Sequence, residues 1–168
     1  MKNKLISLFY ILLNFLAFGN VLNLNTNHLP HIEKLSQTDI LFQQLSQTIE
    51  LNDKNSARNL PLAQEFYTYT VKPTEDLLTI HAATNIPYDT IATLNGINDT
   101  SENITNKTII IPSMKGIFIC KNPQSSLEIL LYEENKFLLG KHDKLCYNIN
   151  NKVLFFLPNM RFTATTRA

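Results

Sequence analysis

The sequence predicts an α+β chain, and three observations carry that prediction. Tyr69 and Val71 alternate with threonines as a short strand. Leu77, Ile80, Ala83 and Thr84, then Ile91 and Leu94, recur at helical spacing. The run 108-TIIIP-112 is β-branched and stopped by proline, as a second strand would be. Strand, helix, helix and strand thus follow one another within residues 69–112.

A chain of 168 residues holds one or two small domains. Its 15 basic residues nearly balance 14 acidic ones, and two of the basic residues, Lys2 and Lys4, lie at the extreme N-terminus. The remainder is close to neutral. Nucleic-acid binding needs a concentrated basic face, so no nucleic-acid partner is expected.

MKNK followed by LISLFYILLNFLAF has the positive n-region and apolar h-region of a secretory signal. Residues 1–19 are therefore expected to be a signal peptide cleaved after Gly19, where Ala17 and Gly19 are the small residues a signal peptidase needs. The alternative is an uncleaved anchor, since Val21, Leu22 and Leu24 prolong the apolar character; a membrane would be a partner only in that case. Export would place the protein in the periplasm or cell envelope.

Residues 20–64 are expected to hold a helix and a linker. Ile32, Leu35, Phe42, Leu45 and Ile49 give one amphipathic helix over residues 31–51, and 52-NDKNSARNLP-61 is polar and ends in proline. Few basic residues flank the apolar face, so packing on a neighbouring domain is favoured over lying on a membrane.

Residues 65–113 form the next unit. After Tyr69 to Lys72, Pro73 and Thr74 break the strand. Thr74 and Asp76 are both suited to cap the first helix, a role worth about 1 kcal/mol. Pro87 ends that helix because proline disfavours helical geometry in the residue before it. Asn95-Gly96 supplies a left-handed exit from the second helix, with Ile97 as its apolar anchor.

Tyr69-x-Val71-Lys72, Leu77 with Ile80, Ile86, Ile91, 94-LNGI-97, Ile104 and 108-TIIIP-112 together resemble the LysM module. The resemblance implies a small βααβ fold, a two-stranded antiparallel sheet with two helices, here flanked by an N-terminal helix and a short β-rich tail. It implies non-catalytic binding of N-acetylglucosamine-containing polymers in a shallow groove between two loops. Carried over by position, the glycan-binding residues are Thr74, Glu75, Asp76 and Leu77 on the first loop and Asn103, Ile104 and Thr105 on the second. Leu77 and Ile104 are the apolar candidates, with core packing as the alternative for both. The sequence departs from the family pattern in the first loop, where a glycine, an aspartate and a hydroxyl residue are replaced by Thr74, Glu75 and Asp76. Asn106 replaces a later glycine, and asparagine tolerates left-handed geometry.

Residues 114–168 form a short α/β tail. It is expected to hold a strand at 116–120, a helix from Ser125 or Ser126 to Glu134, a hairpin of 147–149 with 153–157, and a helix just starting at 159–168, as in an interrupted domain. The stretches 116-GIFICKNPQSSLEIL-130 and 156-FLPNMRFTATTRA-168 resemble the segment that precedes the catalytic domain in bacterial LytM-type, lysostaphin-like zinc endopeptidases. That implies a bacterial envelope protein and peptidoglycan rather than chitin. The zinc ligands are not carried over: His28, His31, His81 and His142-Asp143 sit in unrelated contexts, so neither metal nor cofactor is expected. Cys120 and Cys146 are expected to form a disulfide in an exported protein, with two free buried thiols as the alternative.

The function expected is thus targeting of an envelope protein to peptidoglycan, without catalysis. The alternatives are the N-terminal portion of a zinc endopeptidase and a scaffold that uses the same fold for protein contacts.

Overall fold

The computed structural model describes residues 21–139, 145–163 and 166. The expected signal peptide and the pair His142-Asp143 lie outside these described residues. In chain order the elements are β1 (Val21–Leu24), a 3-10 turn (Thr26–His28), β2 (His31–Ile32), α1 (Ile40–Ser56), β3 (Phe66–Thr70), α2 (Leu77–Thr84) and α3 (Tyr88–Asn95). They continue with β4 (Thr108–Pro112), β5 (Gly116–Cys120), α4 (Ser126–Leu139), β6 (Cys146–Ile149) and β7 (Lys152–Pro158). The α+β class is observed.

β3 and β4 pair antiparallel, from Phe66 opposite Pro112 to Thr70 opposite Thr108. Their sheet has three strands rather than the two expected, because β2 adds to β3 in parallel. Ile32 accounts for this. It is fully buried in the same apolar cluster as Tyr69, its register partner, and so belongs to the sheet and not to a helix. The N-terminal helix accordingly starts later than its apolar spacing suggested. Asp39 sets the start: one carboxylate oxygen accepts from the Leu41 and Phe42 amides at 2.9 and 3.0 Å, the other from Glu33 and Lys34.

α1 also runs five residues into the stretch expected to be a linker. Asn52 is buried there, and its amide bonds Ala63 through both N–H and C=O and also donates to the Ser113 carbonyl at 3.0 Å. Ser113 in turn exchanges backbone bonds and its hydroxyl with Glu65 and Ala63. Residues 60–65 are thereby sewn to the β4–β5 turn.

β3 alternates between two cores. Tyr67 and Tyr69 point into a cluster with Phe42, Leu45 and Ile49 of α1, Ile80 of α2 and Ile91 of α3. Phe66 faces the other way, into a cluster with Ile110, Phe118, Tyr147 and Phe156. That second cluster lies against a four-stranded sheet in the order β1-β6-β7-β5, whose far face carries α4 through Leu131. The tail is therefore completed from the N-terminus, with Val21 to Leu24 pairing in parallel with Cys146 to Ile149.

α3 joins the two halves by hydrogen bonds as well as packing. The Thr90 hydroxyl donates to the Gly116 carbonyl and accepts from the Gly116 amide, and the Thr93 hydroxyl accepts from the Phe118 amide at 3.0 Å. The Asn95 amide group accepts from Ile110 N at 2.7 Å and donates to Ile110 O at 2.8 Å, replacing a strand partner on the free edge of β4. β5 approaches closely: a Cβ on Gly116 would lie 2.4 Å from the Leu157 carbonyl oxygen.

The disulfide is not present. Cys120 and Cys146 are both free and buried, and the register explains why. β5 and β6 lie on opposite sides of β7. Two strand spacings amount to roughly 10 Å, beyond the ~7 Å that a bridge can span. Cys120 is opposite Leu154 while Cys146 is opposite Phe155, so the two thiols also point to opposite faces of the sheet. The hairpin forms as expected, over a turn in which Asn150 and Asn151 have φ of 49° and 65°. Of the stretch expected to start a helix, residues 159–163 are not helical: Asn159 N bonds Lys115 O, and Asp89 holds Arg161 and Phe162.

Candidate functional site

The β3–α2 loop and the α3–β4 loop lie side by side and enclose a groove of about 220 Å³. Glu75 and Asp76 line one wall and residues 100–105 the other. Of the residues expected there, Glu75, Asp76, Asn103, Ile104 and Thr105 are brought together. Thr74 is exposed nearby but not in the lining, and Leu77 lines an adjoining cavity.

Both carboxylates of the first wall are engaged in holding their loop. Asp76 caps α2, accepting from the amide and the hydroxyl of Thr79, each at 2.7 Å. The Thr79 hydroxyl and amide hold its carboxyl below the usual range. Glu75 turns back toward the strand and accepts from the Lys72 amide at 3.0 Å and from the Tyr69 hydroxyl. Burial, reinforced by that carboxylate, pushes the Tyr69 phenol well above its ordinary value. The longer side chain of Glu75 is what lets it reach back to Tyr69.

Leu77 and Ile104 are each 1% exposed and belong to the core beneath the groove. For both, core packing prevails over an exposed sugar contact. Leu77 begins α2 facing inward, and Ile104 sits between two turns that point its side chain down. Asn103 forms the first of these turns by accepting from the Thr105 amide at 3.0 Å. Asn106 forms the second, at φ 60°, and its amide donates to Val71 O.

The second wall carries more of the surface than the sequence suggested. Asp99 accepts from the Ser101 amide at 2.7 Å, and Glu102 accepts from the Asn98 amide and from Lys107 Nζ at 2.9 Å. The Ser101 amide and the Lys107 ammonium hold these two carboxyls below their ordinary values. The turn-rich run 99-DTSEN-103 was the legible signal for this wall. The groove offers a ligand hydroxyls, amides and peptide groups beside its carboxylates, with the buried Ile104 beneath.

Thr100 also lines a second cavity of about 300 Å³, whose walls include Tyr88 and Phe162. Neither aromatic residue was signalled by the sequence, because Phe162 arrives from the far end of the chain. The buried Asp89 places it. Its carboxylate accepts from the Phe162 amide and from Arg161 Nε, both at 2.8 Å.

Among the described residues no three His, Cys, Asp or Glu side chains converge as a metal site, and no helix is long and apolar enough to cross a membrane. His81 bonds Ile86 O at 2.8 Å through Nδ1 and stands edge-on to Tyr88. No protein-family model matches the chain, and neither a curated protein nor a solved structure matches it.

Proposed function

We propose that residues 65–113 are a LysM-type unit that holds peptidoglycan glycan, without catalysis, in an exported envelope protein. The observation that carries this reading is the groove itself: it lies between the β3–α2 and α3–β4 loops of a strand–helix–helix–strand unit with antiparallel strands. A sugar chain offers hydroxyls and acetamido groups, and the rim answers with neutral hydrogen-bonding groups beside three loop-bound carboxylates, Glu75, Asp76 and Glu102. Glu75 and Asp76 are committed to the loop, so recognition falls on Asn103, Thr105, the exposed Thr100 and Ser101, and backbone groups. Glu75, Asp76 and Glu102 are each hydrogen-bonded within their own loops, unlike the acid–base pair that glycoside hydrolysis uses. The integrated tail would orient the unit for whatever it is attached to.

A single shallow groove belongs in the millimolar to micromolar range, roughly −4 to −8 kcal/mol. The test is co-sedimentation with purified peptidoglycan sacculi. Wild-type protein is expected in the pellet. Ser101→Glu, which fills the groove from its exposed rim, is expected in the supernatant with an unchanged circular dichroism spectrum. Equal sedimentation of both proteins, or none of either, would defeat the reading.

A further inference from the structure

We propose that the cavity walled by Tyr88 and Phe162 is a second saccharide subsite, which takes the next residue of the same neutral glycan chain. This rests on the reading of the first groove given above.

Continuity is the first ground. Thr100 lines both the groove and the cavity, so the two sites adjoin at this exposed residue and lie within reach of one linear chain. Size is the second: about 300 Å³ lies at the small end of ligand pockets and suits a single small unit. Chemistry is the third. Leu77, Ala92 and Ile97 are buried at its base, while Asn98, Asp99 and Thr100 are exposed at its mouth. Tyr88 and Phe162 meet edge-to-face, with ring centroids 6.1 Å apart and planes at 76°. Both rings are half-buried and line the cavity, so each presents part of its surface there, and an aromatic surface suits the apolar face of a pyranose. Among the described residues no lysine or arginine lines the cavity, and the one acid among them, Asp99, is bonded to Ser101. Among those residues an anionic ligand finds no counter-charge, whereas an uncharged polyhydroxylated one needs none.

Both aromatic walls depend on one junction. Tyr88 precedes Asp89 in α3, and Arg161 precedes Phe162. Asp89 binds the side chain of Arg161 and the amide of Phe162. It acts as a positioning residue, and the tail thereby becomes part of the binding surface rather than a spacer.

The experiment titrates the isotope-labelled full chain with N-acetylglucosamine oligomers, a disaccharide and a pentasaccharide, followed by amide chemical shifts. The pentasaccharide is expected to bind about tenfold more tightly and to shift the Tyr88 and Phe162 amides. The disaccharide is expected to shift the 100–105 loop with smaller effects at those two amides. Phe162→Ala should abolish the length advantage while leaving disaccharide affinity unchanged. Should that variant lose its native spectrum, Phe162→Leu keeps the apolar bulk without the ring, and the wild-type shifts alone still decide. Equal affinity for the two oligomers, with Tyr88 and Phe162 amides unmoved, would overturn the subsite and leave the groove standing. Binding of neither oligomer would overturn the groove reading and the subsite with it.

Discussion

The two sheets of this protein are assembled in opposite ways. The sheet of β2, β3 and β4 takes its two longer strands and two of its covering helices, α2 and α3, from residues 66–112, so most of its core comes from chain neighbours, with α1 adding Phe42, Leu45 and Ile49. The sheet of β1, β6, β7 and β5 needs both ends of the described chain, since β1 pairs with a strand more than a hundred residues away. They nevertheless share a core, because Phe66 and Ile110 of the first sheet pack with Phe118, Tyr147 and Phe156 of the second. Local assembly is therefore not the same as independent stability. α3 makes the point most clearly: its apolar side packs in the first core, while Thr90 and Thr93 satisfy backbone groups of β5.

The largest effect should come from breaking the shared core. Phe156 is 1% exposed, with its ring centroid 4.7 Å from that of Phe118. Phe156→Ala should cost about 3–5 kcal/mol. Urea unfolding followed by far-ultraviolet circular dichroism and by amide resonances of both sheets should still give one coincident transition. Separate transitions, with the β3–β4 sheet surviving longer, would show that the halves are coupled only weakly.

Asp89→Ala should come next, at about 2 kcal/mol. The half-exposed Arg161 can return to water, so the cost is chiefly that of the Phe162 amide and the buried end of α3. The pH dependence has a definite sign. Burial alone would raise the Asp89 carboxyl, but the bonds from Arg161 and Phe162 outweigh it and the net shift is downward. A carboxyl held lower in the folded state contributes its stability in full above the ordinary value of about 3.9 and loses it as pH falls through the lower folded value. The Phe162 amide resonance should therefore hold its native position down to the ordinary carboxylate range and move only in stronger acid. Asp89→Asn should remove that acid step.

Asn95→Ala sharpens the comparison at β4. It leaves the Ile110 N–H and C=O without their side-chain partner, which should cost about 1–2 kcal/mol. Hydrogen exchange of the Ile110 amide should accelerate more than that of Ile109 or Ile111. The smallest effect belongs to the β6–β7 turn. Asn151 lies at φ 65°, and Asn151→Gly should raise stability by a few tenths of a kcal/mol, read as a small increase in the urea midpoint.

The sequence by itself determined the elements whose cause is local. The strand and two helices after residue 66, the β-branched β4, the Asp76 cap, the Gly96 exit at φ 66° and the Asn106 turn all follow from neighbours a few residues apart. The hairpin of β6 and β7 was legible for the same reason. Where periodicity misled, a competing local signal was present: Asp39 starts α1 after Ile32 has already joined a sheet. Tertiary structure alone decided the rest. Register put Cys120 and Cys146 on opposite faces of a sheet, which no spacing between cysteines can reveal. Burial put Leu77 and Ile104 in the core, Ile104 still beneath the groove it lines, and the Glu75 carboxylate found Tyr69. Phe162 reaches Tyr88 only because a fully buried carboxylate on α3 requires a donor, and the chain supplies one from seventy-two residues further on. Side-chain periodicity records which face of an element is apolar; which other element covers that face, and which polar group it must satisfy there, is settled when distant segments meet.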